Sequence, residues 1–220
     1  MDAVPVPRVK VCCIQSVAEA AAAVRHGASA LGLVSRMPSG PGVIPDETIA
    51  RIAAAVPPPV ATFLLTCLQD AASIIDQQRR LRATAVQVCD RLESGSYADL
   101  REALPGIRLV AVVHVTGPGS VEEAVAVARE ADAILLDSGR PDAVVKELGG
   151  TGRRHDWALS RRIREAVGVP VFLAGGITPE NVAEAVAAVG PFGIDVCTGV
   201  RTAGALDEAK LERLFAALGA

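Results

Sequence analysis

One feature constrains this chain more than any other: short, near-continuously apolar runs alternate regularly with longer, Ala-rich amphipathic runs. The short β-branched runs read as strands, and the runs with apolar residues three and four apart read as helices. Strands are expected at residues 9–14, 30–34, 60–66, 85–90, 108–115, 133–137, 171–175 and 194–198. Helices are expected at 16–26, 45–55, 70–81, 96–104, from Ser120 onward, from Asp156 to near 167, from Thr178 onward, and at 207–218. Ser16 with Glu19, and Ser120 with Glu123, have the spacing of a capping box. Thr178 followed by Pro179 has the composition of an N-cap and first helical position. Strands apolar on both faces belong in a parallel sheet covered by helices. Eight such units in 220 residues, without a linker or composition break, predict an α/β fold: a single-domain (β/α)8 TIM barrel over 1–220. An open doubly wound sheet is the alternative, but no G-x-G-x-x-G follows the first strand.

Charge and composition narrow the function classes. The 22 basic residues against 25 acidic leave a net charge of −3, so no dense basic face is available for nucleic acid. The longest apolar run, 52–65, is broken by Pro57, Pro58 and Pro59 and falls short of the ~18–20 residues a membrane span needs. No membrane partner is therefore expected. The five cysteines form no CxxC pair and no Cys/His spacing suited to zinc, so no metal is expected and reduced thiols in the cytoplasm are the default.

In a (β/α)8 barrel the active site lies at the C-terminal ends of the strands. The residues expected there are Cys12, Cys13, Arg36, Cys89, His114, Asp137, Gly175, Gly176, Cys197 and Thr198. Cys12 and Asp137 are the two candidates for proton transfer, since a thiolate can act as base and a neutral carboxylic acid as donor. The bland readings are a small core cysteine and a loop-capping carboxylate. Asp137 ends the run Ala-Ile-Leu-Leu, where burying a carboxylate without a purpose is costly. Alternation along an extended strand would put Cys12 and Cys13 on opposite faces, leaving one thiol for the interior. Gly175, Gly176, Cys197, Thr198 and Gly199 follow the last two strands, where barrels commonly hold phosphate; ordinary turn glycines are the alternative. The two longest strand-to-helix loops, 35–44 and 138–155, are candidate lids, and the glycines of Gly149-Gly150-Thr151-Gly152 suit a hinge. His114 reads as a core or rim histidine, and His26 as a favourable charge at a helix C-terminus.

Several segments in order along the chain carry a resemblance: Lys10-Val11-Cys12-Cys13-Ile14, Leu135-Leu136-Asp137, Gly149-Gly150-Thr151-Gly152 with Asp156-Trp157, Ala174-Gly175-Gly176 with Pro179-Glu180-Asn181-Val182, and Gly193-Ile194-Asp195-Val196 with Gly199-Val200. Together they resemble the phosphoribosylanthranilate isomerase family. The resemblance implies a barrel isomerase of tryptophan biosynthesis that performs an Amadori rearrangement without a cofactor. It implies Cys12 as general base and Asp137 as general acid. It also implies a phosphate site lined by Gly152, Gly175, Gly176, Cys197, Thr198 and Gly199. The expected partner is a small phosphorylated substrate, and the expected state is a monomer or homodimer.

The sequence departs from the family pattern at several points. Cys13 stands where glycine is usual, and Ser39-Gly40-Pro41-Gly42 replaces a Ser-Pro-Arg whose Arg would hold the aryl carboxylate. Arg36 is the candidate replacement. Gln87-Val88-Cys89-Asp90 replaces Gln-Leu-His-Gly, Cys197-Thr198 replaces two serines, and Arg201 replaces a glutamate, a reversal expected to strengthen anion binding or admit another substrate. These departures keep two alternatives open: an isomerase or epimerase acting on another sugar phosphate, and a non-catalytic barrel that binds a phosphorylated ligand.

Overall fold

The computed structural model describes residues 6–150 and 152–219, and Thr151 of the expected hinge lies outside the described residues. Eight parallel strands close into a barrel in sequence order: β1 (Arg8–Val11), β2 (Ala30–Val34), β3 (Ala61–Thr66), β4 (Ala85–Val88), β5 (Arg108–His114), β6 (Ala133–Asp137), β7 (Val171–Leu173) and β8 (Gly193–Val196). The helices α1 (Val17–Arg25), α2 (Asp46–Ala55), α3 (Ala71–Leu81), α4 (Tyr97–Ala103), α5 (Ser120–Val127), α6 (Trp157–Ala166), α7 (Val182–Val189) and α8 (Glu208–Leu218) follow them one by one. A two-stranded antiparallel piece, β9 (Arg201–Thr202) with β10 (Ala205–Leu206), precedes α8 and was not expected from the sequence. No described helix is long and apolar enough to cross a membrane.

The strand alternation sorts side chains into two layers. Val9, Val11, Leu31, Leu33, Leu64, Ile134, Leu136, Ile194 and Val196 face outward and pack under the helices with Ile49, Ile52, Ile163 and Leu214. Ala30, Val34, Phe63, Leu65, Ala85, Val110, Leu135 and Phe172 fill the interior. Fully burying an aliphatic side chain is worth about 1.5–3 kcal/mol, so the outer layer is the main source of stability.

Three local expectations are corrected. The first strand stops at Val11, short of Ile14, because Cys13 adopts a left-handed conformation with φ 61°. Ser120 makes no capping box: its hydroxyl turns back, donating to the His114 carbonyl (3.1 Å) and accepting from the Thr116 N–H (3.1 Å). Thr178 does not cap α7, which begins at Val182. Instead Asn181 accepts from the Thr178 N–H (2.9 Å) and donates to the Gly176 carbonyl (2.8 Å), so a side-chain-locked turn precedes the helix. Ser16 does cap α1 through the Glu19 N–H (3.1 Å), but the Glu19 carboxylate is engaged elsewhere.

Candidate active site

The C-terminal ends of the strands enclose a cavity walled by Cys12, Cys13, Gln87, Cys89, Asp137, Gly152, Gly175, Gly176, Asp195, Cys197 and Thr198. The two long loops complete it: Met37, Ser39, Gly40 and Pro41 from one side, Leu148, Gly149 and Gly150 from the other. The loops are tied together. The Ser39 hydroxyl donates to the Lys146 carbonyl (2.6 Å), and the Lys146 ammonium pairs with Asp90 (2.6 Å) at the end of β4.

Cys12 and Cys13 are the largest departure from expectation. The alternation argument allowed one thiol inside, yet both line the same cavity. The physical reason is the end of the strand: the left-handed backbone at Cys13 breaks the two-residue alternation. The Cys13 thiol lies 3.6 Å from the Pro41 carbonyl, and the neighbouring thiols of Cys12 and Cys197 raise its proton affinity. Room for Cys12 comes from Gly32 on β2, since a Cβ there would sit 2.5 Å from the Cys12 sulfur.

Below the thiols lies an ion pair that the sequence reading quoted but gave no role. Lys10 is fully buried and donates to Asp195 (2.8 Å) and towards the Cys12 sulfur (3.6 Å). Its ammonium also lies 5.4 Å from the Phe63 ring centroid. Burial works against its charge, but Asp195 and Cys12 outweigh that and hold Lys10 protonated above the usual lysine range. The second Asp195 oxygen, Oδ1, and the Gln87 carbonyl oxygen Oε1 are buried without a hydrogen-bond partner among the described residues. Both residues border the cavity, so these atoms are ready acceptors for ligand hydroxyls. The signal that finds them is a polar residue sharing the inward parity of its strand, Lys10 with Cys12 and Asp195 with Cys197.

Opposed environments shift the two proton-transfer candidates toward each other. Burial raises the Asp137 carboxyl above its usual range, only partly offset by a hydrogen bond from the Ser138 N–H (2.7 Å) and by nearby His114. Gly149 covers the other carboxyl oxygen so closely that a Cβ would come within 2.7 Å of it. The Cys12 thiol moves the other way, lowered chiefly by its hydrogen bond with Cys13 against the effect of burial. Cys13 is correspondingly raised, while burial raises Cys89.

Gly152, Gly175, Gly176, Cys197 and Thr198 all reach the cavity wall, as expected. Gly199 does not; it packs against the Ile177 carbonyl behind the wall. Arg36 is not brought there either. It is exposed, its carbonyl accepts from the Cys67 thiol (3.1 Å), and the loop beyond it presents Met37, Ser39, Gly40 and Pro41 to the cavity instead. Arg201 is not a free cation beside the site. It is buried against Glu19 (2.9 Å) and donates to the Cys13 and Gly204 carbonyls, so it fixes the Cys13 backbone and its charge is compensated. His114 is buried, with its Nε2 3.4 Å from the Cys89 carbonyl, in a core-like setting.

Comparison with known proteins agrees with this geometry. The family model described as N-(5'phosphoribosyl)anthranilate (PRA) isomerase matches residues 9–217. The N-(5'-phosphoribosyl)anthranilate isomerase of Methanocella arvoryzae is 35% identical over 208 residues, covering 94% of this chain and 95% of the relative. That of Haloarcula marismortui is 39% identical over 201 residues, covering 90% and 88%. The crystal structure of phosphoribosyl anthranilate isomerase from Thermotoga maritima superposes with a TM-score of 0.79 at 28% identity, covering 97% of this chain and 98% of that one. A phosphoribosyl anthranilate isomerase in complex with reduced 1-(o-carboxyphenylamino)-1-deoxyribulose 5-phosphate superposes at 0.77 with 26% identity, with the same coverage. By fold, by sequence along nearly all its length and by the order of its motifs, this chain belongs to the phosphoribosylanthranilate isomerase family.

Proposed function

We propose that this chain catalyses the Amadori rearrangement of N-(5'-phosphoribosyl)anthranilate to the carboxyphenylamino-deoxyribulose phosphate, an aldose–ketose isomerisation of tryptophan biosynthesis. One observation carries the residue assignment: Asp137 and Cys12 face a single cavity, the carboxyl shifted toward its protonated form and the thiol toward its ionised form. Asp137 acts as general acid. It delivers a proton to the ribose ring oxygen as the C1–O bond breaks, and the nitrogen lone pair forms the C1–N double bond. Cys12 acts as general base. It takes the proton from C2, and the released electron pair makes the C1–C2 double bond while the C1–N double bond returns to a single bond. The enol so formed ketonises to the product. Lys10 holds positive charge beside the thiolate, and Oδ1 of Asp195 is placed to accept from a sugar hydroxyl.

The 5-phosphate is assigned to the wall where Gly152, Gly175, Gly176, Cys197 and Thr198 converge, with Gly199 supporting the turn behind them. Backbone N–H groups at such glycine turns suit an anion. In this reading the chain works as one domain over 1–220, in the cytoplasm, on a small phosphorylated substrate, as a monomer or homodimer and without nucleic-acid or membrane partners. The test is turnover of phosphoribosylanthranilate generated in place by a transferase and followed by substrate fluorescence. Parent protein and Asp137→Ala are run side by side. Turnover in the parent that the substitution abolishes is the expected result. A folded parent with no turnover sinks the substrate assignment and moves the search to other sugar phosphates.

A further inference from the structure

The barrel closes where β1 meets β8, and the chain leaves β1 through a single left-handed residue. The Cys12 N–H is still on the seam, donating to the Val196 carbonyl at 2.8 Å. Beyond the turn, the Ile14 N–H donates to the Gly32 carbonyl of β2 at 3.1 Å. Between them stands Cys13 with φ 61°, a conformation that is costly for a residue with a side chain and free for glycine. Its side chain is boxed in as well, since a Cβ on Gly42 would come within 2.4 Å of the Cys13 Cβ. The turn therefore needs outside support, and Arg201 gives it. One terminal nitrogen of the guanidinium donates to the Cys13 carbonyl and to Glu19 Oε2 (2.9 Å). The other donates to Glu19 Oε1 (3.2 Å) and to the Gly204 carbonyl (2.8 Å). Glu19 is itself held, accepting from the Gln15 N–H (3.0 Å) and the Leu206 N–H (3.2 Å). The Arg201 side chain is buried, so water competes little for these bonds. Positions 13 and 201, both departures from the family pattern, thus meet in one hydrogen bond.

We infer that Arg201 is a positioning residue for Cys12: clamped to Glu19, it holds the left-handed turn that aims the neighbouring thiol into the cavity. This role rests on the assignment of Cys12 as general base. The seam fixes the N–H side of Cys12 and Gly32 leaves room for its sulfur, so the remaining freedom lies in the turn at Cys13. Without the guanidinium the Cys13 carbonyl loses that donor, and the turn relaxes toward the extended form a cysteine prefers. Relaxation carries the Cys12 sulfur away from the Lys10 ammonium, which lies 3.6 Å from it. Arg201 is not among the residues that wall the cavity, so its effect on the reaction runs through Cys13. An Arg201 that only tied α1 to the β9–β10 hairpin through Glu19 would matter equally whichever residue stood at position 13.

The experiment is a double-variant cycle on the full-length protein: parent, Arg201→Met, Cys13→Gly, and both together. Two readouts run in parallel: turnover of phosphoribosylanthranilate, and the rate at which iodoacetamide alkylates Cys12, located by mass spectrometry. In the parent background Arg201→Met should lower kcat by roughly 10–100-fold, the order expected when a reacting group is misplaced by about an ångström, with KM little changed. Cys12 should be alkylated faster, because its thiol is released from a buried seat. In the Cys13→Gly background glycine holds the turn unaided. There the same substitution should cost less than about threefold in kcat and leave the alkylation rate unchanged. Equal effects in the two backgrounds, or a rise in KM alone, overturn the role and leave Arg201 a strut between α1 and the hairpin. If Arg201→Met does not fold, Arg201→Lys goes through the same cycle, since it keeps a charge for Glu19 but lacks the planar fork that also reaches the carbonyls. A parent that never turns over this substrate is a failure of the isomerase reading alone, because the alkylation cycle is read without activity.

Discussion

The two ends of the barrel interior are made from the same strands, yet they hold opposite kinds of side chain. Toward the N-terminal end Phe63, Phe172 and Phe192 stack edge-to-face, with ring centroids 5.8 and 5.5 Å apart. Toward the C-terminal end the barrel interior carries Lys10, Asp195, Gln87, Asp137 and the thiols of Cys12, Cys13, Cys89 and Cys197. One end is lined by aromatic rings, Phe63 and Phe172 buried and Phe192 half-exposed; the other places ionisable groups where burial shifts their proton affinities. A fold that draws most of its stability from the outer, barrel-to-helix layer can give up one end of its interior to chemistry.

The contrast predicts effects that separate by end. The largest is on rate. Cys12→Ala and Asp137→Ala should each lower kcat by about 10²–10⁴, while Asp137→Ala leaves Tm unchanged or higher because a buried carboxyl is removed. A variant within tenfold of the parent would strip that residue of its role. Next is the ion pair. Lys10→Met leaves Asp195 buried and unpaired and should cost about 3–5 kcal/mol in urea unfolding. Adding Asp195→Leu should recover most of that stability but not activity; if the double variant stays as unstable as the single one, the pair is not the source of the loss.

A third effect is on pH dependence. The active form has Asp137 protonated and Cys12 ionised. Raising the carboxyl above its usual 3.8 moves one limb of the kcat/KM profile up, and lowering the thiol below its usual 9.0 moves the other down. The bell should therefore be narrower than two unshifted groups would give, and limbs at or outside those values contradict the environments described. The smallest effect belongs to the aromatic end. Phe192→Ala should remove an edge-to-face contact worth roughly 0.5–1.5 kcal/mol and leave kcat where it was. A change in kcat would mean that the two ends are coupled.

The barrel was legible because each strand carries its own periodic signature and five of the eight helices open on a side-chain cap. Ser16, Asp70, Ser96, Asp156 and Asp207 all accept from the first turn of the helices they precede. Asp137 was legible for a related reason, as a charge at the end of an apolar run. What stayed hidden depends on long-range geometry. The left-handed backbone at Cys13 is set by Arg201, far along the chain, so no local pattern predicts two thiols in one cavity. Arg201 read as a spare cation because its partner Glu19 belongs to another helix and looked like half of a capping box. Arg36 read as a ligand because the path of its loop is not written in its spacing.

The seam between β1 and β8 also fixes an order of assembly. Cys12 leaves the ribosome long before Asp195, Cys197 and Arg201, which define its surroundings. A nascent chain lacking its final strand has the thiol without the ion pair, the left-handed turn or the closed wall. The surroundings of Cys12 are thus acquired only once β8 and the segment to Arg201 have been made, and a product stalled before them lacks the groups that set its reactivity.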